Sequence, residues 1–75
     1  MPRNFHRHRL DVAHAYAVTR QSDRACAVLA DLRTRAPEWL AEQRYARDIL
    51  ATVIRRRRRL SDDMRDLAEF LHLAV

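Results

Sequence analysis

The residues best equipped for chemistry in this chain are arginines, and Arg55, Arg56, Arg57, Arg58 and Arg59 stand in an unbroken row. A guanidinium is planar, permanently charged and bidentate toward carboxylates and phosphates, so the run is the candidate contact for a phosphate-bearing or acidic partner. The same composition also suits a solvated helix end, because cations stabilise the negative pole of a helix dipole. At about 100° per residue, five consecutive helical side chains point in every direction. A run displayed in that way can meet phosphates without reading a base sequence, and its binding should fall steeply with salt.

No other group of residues has the spacing of a reactive site. His6 and His8 point to opposite sides of a helix and His14 is remote from both, so the histidines read as exposed helix residues and not as metal ligands. Cys26 follows the small Ala25 and should be packed and inert, with no base near it in sequence. The chain has no glycine, hence no glycine-rich phosphate loop, and it has no nucleophile elbow. Tyr16, Trp39 and Tyr45 fall at core-like positions and are not interleaved with the arginine run, so base stacking is not indicated. The expectation is a non-enzymatic protein without a cofactor.

Composition narrows the class further. All 15 basic residues are arginine against 10 acidic ones, giving a net charge of +5. Arginine without lysine, together with abundant alanine, reflects a GC-rich coding sequence as readily as it reflects a polyanionic partner. The single cysteine excludes an internal disulfide, and no apolar stretch is long enough to span a membrane. The amino terminus MPRNFHRHRL lacks the apolar core of a signal peptide, which places the expected location in the cytoplasm. At 75 residues the chain reads as a single domain, 1–75, with a core that supplies little more than about 3–5 kcal/mol.

The apolar periodicity predicts an all-α fold of about four helices. The first runs from Phe5 to about Val18 behind an Asn4 cap, with Phe5, Val12, Ala13, Tyr16 and Ala17 inward and Leu10 at the edge of the stripe. Ser22 or Asp23 caps the second, whose inward face is Ala25, Cys26, Val28, Leu29 and Leu32. Pro37 ends it. A third segment, 38–59, opens at Glu38 and Trp39 and becomes helical from Ala41 or Gln43 to Arg59. The last, 61–75, begins at a Ser61 cap with Asp62 and Asp63 in the first turn. Phe70, Leu73 and Val75 fall outside its stripe of Met64, Leu67, Ala68 and Leu71, so it should carry more apolar surface than one small core needs.

The first two helices, 5–37, resemble a single tetratricopeptide repeat. Val12, Ala13 and Tyr16 occupy the positions of the first helix that the repeat fills with Leu, Gly and Tyr, and Ala25, Leu29 and Pro37 follow at the offsets of its Ala, Phe and Pro. Arg9 replaces the usual Trp. Arg20 stands where a Gly normally turns the chain, so the turn from Thr19 to Ser22 is expected to be looser than in the repeat.

Nearly the whole chain resembles the tetratricopeptide-like C-terminal region of bacterial helix-turn-helix (XRE-type) transcriptional regulators. The likeness runs through Ala15 and Tyr16, Ala25, Ala36 and Pro37, then Ile49, Leu50, Val53 and Ile54, and on past the arginines to Met64-Arg65-Asp66-Leu67-Ala68. It implies a protein-interaction or regulatory module, serving for sensing or dimerisation, that follows a DNA-binding domain. The expected partners are a protein, a DNA-binding domain or a second copy of the chain. A non-specific nucleic-acid binder is the alternative, and DNA recognition by these residues alone is not expected, since they include no recognition helix.

Overall fold

The computed structural model describes residues 5–57 and 59–73 and is all-α, with five helices and no strand among those residues. Helix α1 is Phe5–Val18, α2 Ser22–Arg35, α3 Pro37–Ala41, α4 Arg44–Arg55 and α5 Asp62–Phe70. Helices α1 and α2 form a packed hairpin, α4 lies against both of them, and α5 closes over α2 and α4.

The core selects residues at helical spacing. Leu10, Ala13 and Ala17 of α1 are buried with Ala25, Val28, Leu29 and Leu32 of α2, and the alanines let the two backbones come close. Ala46, Ile49, Leu50 and Val53 from α4 and Met64, Leu67 and Ala68 from α5 complete the cluster. The stripe of α1 is rotated from the expected one: Leu10 is central, while Phe5 is 46% exposed. Val12 and Tyr16 flank the buried row and are half-buried against it. Trp39 and Tyr45 are also half-buried, with Trp39 set 5.3 Å from the His6 ring.

The α1–α2 turn is tight and not loose. Arg20 takes φ 64, its amide donates to the Ala17 carbonyl at 3.3 Å, and the Gln21 amide donates back to the Tyr16 carbonyl at 2.8 Å. That pair of bonds is a Schellman closure with an arginine in glycine's place. It consumes Gln21 as its last residue, so α2 must start immediately. Ser22 is therefore already helical, and neither it nor Asp23 is the cap. Gln21 holds the cap position, but its side chain turns away to donate to Thr19 Oγ1 at 3.0 Å.

The expected third helix is two helices. Pro37 is exposed and is the first residue of α3, a position where its missing N–H costs nothing. Gln43 breaks the path with an extended backbone at ψ 107, and its side-chain amide donates to the Trp39 carbonyl at 3.2 Å. Helix α4 then ends at Arg55, four residues short of the expected Arg59, and the next residue, Arg56, turns its guanidinium back to the Ala17 carbonyl at the end of α1.

Ser61 caps α5 as its sequence implies, accepting from the Met64 amide at 3.2 Å. The helix stops at Phe70 through a second Schellman closure, in which His72 adopts φ 58 and the Leu73 amide donates to the Ala68 carbonyl at 2.8 Å. This closure folds Leu73 onto the core. Phe70 is half-buried with the Arg33 guanidinium 4.7 Å above its ring, so the surplus apolar face expected of the last helix is largely covered. Asn4, Arg58 and Val75 lie outside the described residues.

A non-glycine residue held in the left-handed region carries a cost of roughly 1–2 kcal/mol. Arg20→Gly should therefore raise stability by about 0.5–1 kcal/mol in urea melts, and the β-branched Arg20→Val should lower it. Indistinguishable melting of the wild type and both variants would show that Arg20 does not sit at that angle.

Candidate functional site

The described arginines of the run do not radiate from a helix. Of Arg55, Arg56, Arg57 and Arg59, Arg55 alone is helical, its guanidinium 3.5 Å from Thr52 Oγ1. Arg56 folds back across the molecule, and its Nη1 donates to the carbonyl of Ala17 at 3.0 Å and to that of Val18 at 3.5 Å. These carbonyls end α1, where the helix dipole is negative and acceptors are left over, so a guanidinium is well placed there. Arg57 reaches Asp23 in the first turn of α2 at 3.5 Å. Arg59 is exposed in the bend that follows. The run is thus divided between anchoring and exposure.

This folding back creates a cleft of about 380 Å³ between the α1–α2 turn and the end of α4. Arg20, Arg24, Arg56 and Arg57 line it, and Asp23 is the one acidic residue among them. Gln21 and Ser22 complete the lining. Arg24 leans toward the Tyr16 ring, 6.0 Å from its centroid. The open end of α2 also points here, and no side chain caps it. The first-turn N–H groups of α2 therefore add partial positive charge to the same wall.

Sequence reasoning singled out Arg56 and Arg57 and missed Arg20 and Arg24. A signal was present, since Arg20 and Arg24 flank a turn four residues apart. Nothing local shows that this turn meets the distant run, because the two are brought together by the packing of α4 on the hairpin. The residues expected to pack the hairpin divide in the same way. Ala13, Ala25 and Leu29 share the core, Val12 and Tyr16 border it, and Pro37 lies outside it.

A second hollow, about 300 Å³, lies between α2 and the start of α5, with Cys26, Ala27 and Ala30 on one side and Ser61 and Met64 on the other. Cys26 is buried, and its thiol is pushed up from the ordinary 9.0 to about 11 by burial first and then by the Asp23 and Asp63 carboxylates, against an opposing pull from Arg57. A thiol in that state is protonated and unreactive near neutrality. The histidines do not converge: His6 packs on Trp39, His14 lies 5.8 Å from the Tyr45 ring and His8 is exposed. Among the described residues no group of three or more His, Cys, Asp or Glu side chains is placed to hold a metal ion. No helix there is long and apolar enough to cross a membrane.

Arginines also tie other parts of the chain together. Tyr45 on α4 donates its hydroxyl to Asp11 on α1 at 2.9 Å, beneath an Arg7 guanidinium 4.9 Å from the ring. Burial, the bond to Asp11 and that carboxylate's charge raise the phenol above its ordinary value. No family model, curated protein or solved structure matches the chain.

Two outcomes follow from these contacts. Arg56→Met keeps the aliphatic stem but deletes the bonds to Ala17 and Val18, and should cost about 0.5–1.5 kcal/mol in urea unfolding. Arg59→Met should stay within about 0.5 kcal/mol of the wild type; equal losses would mean that Arg56 is no anchor.

The second outcome concerns alkaline pH. Below pH 9.0 Cys26 is neutral in both states, whereas above it the unfolded thiol ionises first because the folded one waits until about 11. Stability should therefore fall as pH rises through that window. Tyr45 adds a loss of the same sign, so the measurement is the difference in slope between the wild type and Cys26→Ala. Parallel slopes would place the thiol in solvent.

Proposed function

We propose that this chain is a non-enzymatic regulatory or protein-interaction module, of the kind that serves a transcriptional regulator as its sensing or dimerisation region. The observation that carries this reading is the position of α4. It packs on both helices of the α1–α2 hairpin, as the first helix of a following tetratricopeptide repeat packs on the preceding unit, with small residues buried along the hairpin. The covered face of α5 argues against a broad apolar docking surface, because Phe5 and Val18 are the large hydrophobics exposed among the described residues. An interface on this module would then be polar and rich in arginine.

A reporter assay tests the dimerisation form of this reading. The chain is fused behind a DNA-binding domain that represses its operator only as a dimer, and the purified 75-residue chain is sedimented in parallel. Repression clearly above that of the DNA-binding domain alone, with a concentration-dependent rise in mass, is the expected result. A monomer at high micromolar concentration together with no gain in repression would sink it.

A further inference from the structure

We infer that the cleft between the α1–α2 turn and the end of α4 is a binding site for the di- or triphosphate group of a small anionic molecule. The site goes beyond the regulatory reading and does not depend on it, because it rests on different residues from those that pack the hairpin.

Arg20, Arg24, Arg56 and Arg57 come from two segments distant in sequence and line one cleft of about 380 Å³, opposed by Asp23 alone. Like charges gathered in this way repel, and an anion bearing several charges relieves that repulsion. Arg56 is held in place through Nη1 by two carbonyls of α1, which leaves its remaining N–H groups free to donate. Arg57 meets Asp23 at 3.5 Å through a carboxylate that is 91% exposed, a weak pair that an incoming phosphate can share or displace. The uncapped first turn of α2 adds backbone donors on the same side.

Shape selects a small ligand over a nucleic-acid backbone. The volume lies within the range of roughly 300–1,000 Å³ typical of small-molecule sites. The four arginines line one concavity, whereas a duplex would need them spread along a ridge that tracks the backbone. Arg55 and Arg59 do not line the cleft and so do not extend it into such a ridge.

The test is a titration of the isotopically labelled chain at physiological ionic strength, followed by amide shifts and calorimetry. The probes are sodium tripolyphosphate, ATP, orthophosphate and a short random DNA duplex. Tripolyphosphate should bind one to one and move the amides of Ser22, Asp23 and Arg24. It should bind at least about tenfold more weakly to Arg24→Gln/Arg57→Gln, a loss of about 1.4 kcal/mol, and with unchanged affinity to Arg44→Gln/Arg65→Gln, which removes the same charge elsewhere. ATP binding equal to tripolyphosphate would assign the phosphates alone as the ligand. Tighter ATP binding would assign a nucleotide, and either result upholds the site.

Equal weakening in both variant pairs would reduce the effect to diffuse attraction and overturn the proposal. So would shifts away from α2, or a duplex that displaces tripolyphosphate and binds more tightly. The amide map of the wild type decides the matter even if a variant fails to fold.

Discussion

Helix α2 is the element on which the other four depend, because it packs against α1, α3, α4 and α5 alike. Its buried residues, Ala25, Cys26, Val28, Leu29 and Leu32, spread over more than one narrow stripe, so a helix of 14 residues supplies an inner surface to several neighbours. Ala25 serves this arrangement by being small. A larger side chain there would separate α1 from α2 and would also shift the groove that receives α4 and α5. A domain of this size has no second core to absorb such a shift.

The chain meets its turns without glycine, and the means it uses shape the surface. Arg20 and His72 each close a helix in the left-handed region. At the first of these closures a side chain serves the helix end before the turn and none caps the one after it. Arg56 donates to carbonyls at the end of α1, and Arg57 pairs with Asp23 beside the uncapped first turn of α2. The same contacts that complete the hairpin therefore gather positive charge around it.

Arginine has a second structural use across the molecule. Arg33 covers Phe70 between α2 and α5, and Arg7 covers Tyr45 between α1 and α4. Each lays a planar cation on an aromatic ring that would otherwise face water, with its charge still hydrated. A net charge of +5 is thus compatible with a closed core, and the charge count alone overstates how much of it is free for a partner.

The sequence by itself determined the helical class, the α1–α2 hairpin, the Ser61 cap and most of the core. Those features follow from local rules, the spacing of apolar residues and the chemistry of caps and turns, which are written in adjacent residues. The 5-residue α3 and the early end of α4 escaped it: Gln43 breaks the path with a bond to the carbonyl of Trp39 four residues back, which the spacing of apolar residues does not announce, and Arg56 turns to carbonyls of α1 that only the folded chain brings near. The register of α1 escaped it too. Leu10 and Phe5 are both apolar, and which of them is buried depends on where α2 and α4 lie against α1. The cleft was decided wholly by tertiary structure, since electrostatics acts through space: Arg20 and Arg24 became neighbours of Arg56 and Arg57 when α4 packed along the hairpin.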